Sequence, residues 1–145
     1  MKRIIVSMLA MVVILGGCGL ANSVYVNYNY NAGMELTTSV GSPMTEATEY
    51  CKNDVYGNIH SSFTQQLIYS GKSGNIIRIT YREFSNNLAR PAFSQDLTYD
   101  LSESKRITFR NTVIEVKEAT NSFITFVVLE SPAYRYPSGS KLRGC

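Results

Sequence analysis

Long apolar runs are missing from this chain of 145 residues. The longest, residues 4–15, holds 12 residues and admits Ser7. As a helix it would extend about 18 Å against a hydrocarbon core of roughly 30 Å, which is too short to span a bilayer. A surplus of one charge sign is missing too: 14 Lys and Arg stand against 11 Asp and Glu, with both signs interspersed between Lys52 and Glu130. Nucleic-acid binding needs clustered cations that displace counterions, so nucleic acid is excluded as a partner. Histidine is nearly absent. His60 and the distant Cys51 and Cys145 cannot supply the four ligands of a closed zinc site, so no metal is expected. No nucleophile-elbow glycine pattern surrounds any serine, and a Ser, His and Asp constellation would have to recruit His60 from the polar stretch 58–62. Gly71-Lys72-Ser73-Gly74 lacks the length and the following helix of a phosphate-cradling loop. With no catalytic spacing and no cofactor motif, enzymatic function is not expected and no cofactor is assigned.

What is present begins with the setting of the short apolar run. Lys2-Arg3 precede it and Leu15-Gly16-Gly17-Cys18 follow, giving a positive n-region and an h-region of signal-peptide length. A leucine three positions before a cysteine, with small residues between, resembles the lipobox of bacterial lipoproteins. The resemblance implies that residues 1–17 are a signal peptide, that Cys18 carries a diacylglycerol and becomes the N-terminus, and that the protein is held at a membrane by its lipid. An ordinary secretory signal would need a small-x-small cleavage site, which residues 10–21 supply only loosely. Gly19 is not the aspartate that commonly retains lipoproteins at the inner membrane. In a host with two membranes the expected location is therefore the outer one, facing the periplasm. Removal of residues 1–17 takes Lys2 and Arg3 with it and leaves 128 residues with 12 basic against 11 acidic. A chain of that size makes one domain and buries about two thirds of its unfolded surface.

Lipidation leaves Cys51 and Cys145 in an oxidising compartment, where one intramolecular bridge is possible and is expected. The alternative is a buried Cys51 thiol beside a free terminal Cys145.

Residues 18–23 read as lipidated cysteine and tether, 24–131 as a β-rich domain and 132–145 as an extended tail. Residues 24–31 alternate, with Val24, Val26, Tyr28 and Tyr30 on one side, and predict a first strand; Met34 to Val40 resumes the alternation weakly. Ser42-Pro43 is a helix-start signal, and Met44, Ala47, Cys51 and Val55 follow at helical spacing, so one short helix is expected, ended by Gly57. Glu46, Glu49 and Asp54 would form its solvated face. From Phe63 the period becomes two: Phe63, Gln65, Leu67 and Tyr69 share a face, residues 70–74 turn, and Ile77, Ile79 and Tyr81 return as the second arm of a hairpin. Phe93 to Leu101, residues 106–110, 113–119 and 123–130 complete the pattern, the last apolar on both faces and therefore central. Seven or eight short strands joined by tight turns predict an all-β, mainly antiparallel fold, a small sandwich or barrel with one helix.

Leu67-Ile68-Tyr69-Ser70-Gly71, Ile79-Thr80-Tyr81-Arg82-Glu83-Phe84, Ala89-Arg90-Pro91-Ala92-Phe93 and Leu97-Thr98-Tyr99-Asp100-Leu101 resemble a pattern of small bacterial proteins, many of them lipoproteins, to which no activity is attached. The resemblance covers residues 63–129, implies an all-β domain and carries no functional residue. Arg78, Arg82, Arg90, Asp96 and Asp100 are the candidate polar surface. Arg78 and Arg82 share a face, Asp96 and Asp100 share one on the next strand, and if the strands pair, opposite charges meet. Such a row is either a set of cross-strand ion pairs, each contributing about 0.2–1 kcal/mol, or a groove for a charged ligand. The tail's basic residues could touch anionic head groups near the anchor. Two functions are compatible with these features: a membrane-anchored binding or inhibitor module facing an envelope protein or glycan, and a structural accessory of an envelope assembly. A closed pocket lined by Tyr69, Tyr81 or Tyr99 would favour binding; a flat apolar edge would favour assembly.

Overall fold

The hairpin that begins at Phe63 forms two neighbouring strands of the first sheet. A computed structural model describes residues 22–53, 55–86, 88–89, 93–131 and 139–143. In it β4 (Ile59–Ser73) and β5 (Ile76–Ser85) pair antiparallel, turned at Gly74, whose φ of +58° suits a glycine. The other strands are β1 (Asn22–Tyr28), β2 (Glu35–Ser39), β3 (Pro43–Asn53), β6 (Leu88–Ala89), β7 (Gln95–Asp100), β8 (Arg106–Phe109), β9 (Thr112–Ala119), β10 (Phe123–Glu130) and β11 (Ser140–Arg143). They form one sheet in the order β11-β1-β3-β4-β5-β6, with β7 also paired to β5, and a second in the order β2-β10-β9-β8. Every pairing is antiparallel. The all-β expectation therefore holds, as a sandwich of two separate sheets rather than a barrel, and with eleven described strands in place of seven or eight.

The core lies between the sheets. Met44, Leu67, Tyr69, Ile77, Ile79 and Tyr81 from the first meet Ile107, Ile114, Val116, Ile124, Phe126 and Val128 from the second. Strand β10 lies between β2 and β9, as its two apolar faces require, and Ile124, Phe126 and Val128 are fully buried. The Tyr69 hydroxyl crosses the core to donate to the Thr120 carbonyl at 2.5 Å, so this buried polar group is satisfied.

The helix expected from Ser42-Pro43 does not form; its residues are β3. Pro43 begins a strand, where its missing N–H is tolerated, and the Ser42 amide closes a turn onto the Ser39 carbonyl. Both edges of β3 are taken, by β1 and by β4, so its backbone is satisfied without helical bonds. Thr45, Thr48 and Tyr50 suit the pleated surface, and the helical spacing of Met44, Ala47 and Cys51 was coincidental. Cys51 is accordingly buried on a strand rather than on a helix stripe. Gly57, at φ +71°, serves the β3–β4 turn instead of a helix end.

Within the segment expected as an extended tail, residues 140–143 form β11 and extend the first sheet beyond β1. Leu15, Gly16, Gly17, Cys18, Asp54, Arg90 and Cys145 lie outside the described residues.

Candidate cleft at the end of the sandwich

The inward face of β5 reads Ile77, Ile79, Tyr81 and then Glu83, a carboxylate where the pattern calls for an apolar side chain. Glu83 is 4 % exposed. Burial of a carboxylate demands partners, and two reach it. The Tyr81 hydroxyl donates to Glu83 Oε1 at 2.6 Å, and Arg110 Nη1 donates to the same oxygen at 2.6 Å. Arg110 Nη1 also donates to the Tyr81 hydroxyl oxygen at 2.7 Å. The guanidinium carbon lies 4.6 Å from the Tyr81 ring centroid, and the Phe109 ring packs on Tyr81 at 4.9 Å. The Tyr81 hydroxyl is held well above the ordinary tyrosine range, first by burial and then by the hydrogen bond and charge of Glu83, with Arg110 opposing.

Arg110 reaches this position from a turn. Phe109 pairs with Thr112, so Arg110 and Asn111 alone connect β8 to β9, at φ +45° and +62°. Two left-handed residues make a turn whose twist matches the strands, and holding an arginine there costs about 1 kcal/mol. The contacts with Glu83 and the two rings offset that strain. Half of the Arg110 side chain remains in solvent, at 50 % exposure.

Beneath the turn, between it and the inward face of the first sheet, opens a cleft of about 160 Å³. Its floor is set by register. Val26 lies opposite Glu49, Ala47 opposite Gln65, and Gln65 opposite Glu83, which carries one side-chain face across β1, β3, β4 and β5. Val24, Val26, Ala47 and Leu67 supply apolar wall, and Glu49, Gln65 and Arg110 supply polar groups. Glu49 is exposed and has no ion-pair partner among the described residues. At the rim Tyr30, 3 % exposed, shares a 2.7 Å hydrogen bond with Ser131; burial raises its hydroxyl pKa, with Ser131 opposing.

The candidate polar surface is arranged otherwise. Strands β5 and β7 do pair, but Arg78 lies opposite Thr98, Asp96 opposite Thr80 and Asp100 opposite Ile76. The inward pairs Ile77 with Tyr99 and Ile79 with Leu97 fix that register, so the charges are offset and no row of ion pairs forms among the described residues. Thr80 donates to Asp96 at 2.8 Å. Asp100 accepts from the Ser102 hydroxyl at 2.6 Å and amide at 2.8 Å, which hold its carboxyl below its usual value. Arg82 is exposed opposite Gln66, which itself donates to Glu46 at 2.5 Å. Of the three tyrosines singled out as possible lining, Tyr81 borders the cleft, Tyr69 is core, and Tyr99 donates to the Thr108 carbonyl at 3.0 Å. His60 is exposed in a shallow depression with Thr48, Tyr50 and Asn86, with no carboxylate among the described residues that line it. Among the described residues no three His, Cys, Asp or Glu come together as a cation site. No family model, curated protein or solved structure matches the chain.

Proposed function

We propose that the chain is a bacterial lipoprotein, anchored through Cys18 to the membrane of an envelope compartment, and that its sandwich is a non-catalytic binding module. In a host with two membranes the proposed location is the outer membrane, facing the periplasm. The observation that carries the reading is the cleft beneath the Arg110 turn. Its volume of about 160 Å³ falls below the roughly 300–1,000 Å³ of sites that enclose a whole small-molecule ligand and is close to the roughly 150 Å³ that holds one benzene. Such a space takes one ring-sized group of a larger partner, a side chain or a sugar, with the rest of the partner outside. Arg110, locked by Glu83, offers a positioned donor, and Glu49 offers an acceptor across the same opening.

Site-specific photocrosslinking on the anchored protein tests this. A benzoylphenylalanine in place of Thr112, which lines the cleft, is expected to yield a discrete adduct in membranes, with an envelope protein or a glycan. The adduct should disappear when Ala47→Phe fills the cleft. Adducts that arise only from probes on the sheet edges β2 or β8 would support the structural-accessory role instead.

A further inference from the structure

Among the described residues the three most exposed large apolar side chains stand together at one end of the sandwich: Tyr56 at 70 %, Val55 at 65 % and Ile59 at 60 %. They lie on and beside the β3–β4 turn, and that turn is built rather than slack. Asn53 is 3 % exposed, and its Oδ1 accepts from the amides of Val55 at 3.0 Å and Tyr56 at 2.9 Å. The Gly57 amide donates to the Asn53 carbonyl at 2.8 Å, and the Asn53 amide donates to the Asn58 carbonyl at 2.9 Å. The fold therefore holds these apolar side chains outward, in water, by a hydrogen-bonded frame. Clustered apolar exposure of this kind marks a contact surface.

Position identifies the surface it meets. Asn22, the first residue described, pairs with Asn53 at the base of this turn. Cys18 lies four residues earlier in the sequence, no more than about 14 Å away even along a fully extended chain. A lipid on Cys18 thus places a bilayer within reach of the turn. The neighbouring register positions are basic: Lys52 lies opposite Ser23, with its ammonium 5.9 Å from the Tyr25 ring centroid, while Arg143 and Lys141 occupy the positions opposite Ser23 and Tyr25 on the other side of β1. At the far end of β4 and β5 the turn carries Gly74 and Asn75, the β7–β8 connection carries Ser102 and Glu103 beside Lys105, and Ile76 there is 37 % exposed, well below the three side chains of the β3–β4 turn.

We propose that the β3–β4 turn is a second membrane contact. Val55, Tyr56 and Ile59 enter the interface of the bilayer that holds the Cys18 lipid, and the basic register positions lie at head-group level. Tyrosine suits the interface because its ring is apolar and its hydroxyl polar, and cations near the surface favour anionic head groups. The contact gives the anchored sandwich a fixed orientation. It rests on lipid attachment at Cys18.

Tryptophan is absent from the sequence, so Tyr56→Trp introduces a single fluorescent reporter. The full lipidated chain carrying it is reconstituted in vesicles of phosphatidylglycerol and acyl-brominated phosphatidylcholine. Interfacial burial by roughly 5–10 Å is expected to remove about half of the emission seen in unbrominated vesicles. Glu103→Trp, at the far end, is expected to stay equally bright in both. The mass of the N-terminal peptide reads Cys18 acylation in the same sample. An acylated Tyr56→Trp protein whose emission is unchanged by bromine overturns the membrane contact and leaves the anchor standing. Shielding of the same reporter from aqueous acrylamide without bromine quenching assigns the turn to a protein partner or second copy, and also overturns it. A Cys18 free of lipid overturns both the contact and the anchor.

Discussion

The two halves of the Glu83–Arg110 pair differ in burial, and the difference predicts their behaviour. Glu83 is 4 % exposed and Arg110 is 50 % exposed. Truncating Arg110 to Met leaves a buried carboxylate with only the Tyr81 hydroxyl, which is expected to destabilise by about 1–3 kcal/mol, discounted from a fully buried pair because the cation is half solvated. Glu83→Gln keeps an acceptor oxygen for Tyr81 and leaves Arg110 free to turn to water, so a loss of about 1 kcal/mol or less is expected. Urea unfolding of both variants checks the order, and equal losses would remove the asymmetry. The sequence held a signal for this site in the inward parity of Glu83 after Ile77, Ile79 and Tyr81. It did not name the partner, because Arg110 is brought to Glu83 only by the facing of two sheets. The candidate charges on β5 and β7 were legible as a shared outward face but not as pairs. Their register is set by apolar neighbours on the opposite face, which charge spacing does not report.

At the scale of elements, periodicity located strands where both arms of a pairing lay close in sequence. Strand β10 matched its expected residues, and β4, β5, β8 and β9 matched theirs to within a few. It misplaced β3, where Ser42-Pro43 and a chance helical spacing outweighed Thr45, Thr48 and Tyr50. It also left β11 within an extended tail, since a strand that pairs with β1 from the far end of the chain leaves no local turn signal. These two strands frame the proposed disulfide. Cys51 on β3 lies opposite Val24 on β1, Val24 lies opposite Leu142 on β11, and Cys145 is three residues beyond in the sequence. Cys51 is 7 % exposed and is not a free thiol. A strand stands between β3 and β11, and two strand spacings of about 4.8 Å exceed the roughly 4.4–6.8 Å that a bridge allows between Cα atoms. A bond to Cys145 therefore has to span β1, and the three residues beyond Leu142 are long enough to reach about 10 Å. We propose this pairing, with Cys18 reserved for the lipid. Peptide mapping of the oxidised protein is expected to find Cys51 joined to Cys145. Its reduction should release the β11 end and lower global stability by less than the roughly 2–4 kcal/mol typical of a long-loop bridge. Both thiols alkylating in the exported protein would sink the pairing.

For the whole molecule, the ten tyrosines of the sequence link core packing to alkaline stability. Tyr30, Tyr69, Tyr81 and Tyr99 have hydroxyls whose pKa is raised above 10.0, in each case chiefly by burial. The unfolded chain would ionise all four near pH 10, while the folded chain resists. The unfolded state therefore binds fewer protons in that range, so stability falls as pH rises above about 10 and is unaffected by these groups below it. The Tyr81 contribution has an additional source, because ionising its hydroxyl would remove the donor to Glu83 and set two anions side by side at the 2.6 Å contact. In a pH titration of the native protein these four hydroxyls are expected to ionise together with the loss of β-sheet circular dichroism, read as a late rise in tyrosinate absorbance. Tyr81→Phe should move that rise to higher pH, since it deletes the group whose ionisation strains the Glu83 site most. A late rise that stays in place in Tyr81→Phe would mean that alkaline unfolding is governed by the other buried rings, and that the Glu83–Tyr81–Arg110 cluster does not limit the fold at high pH.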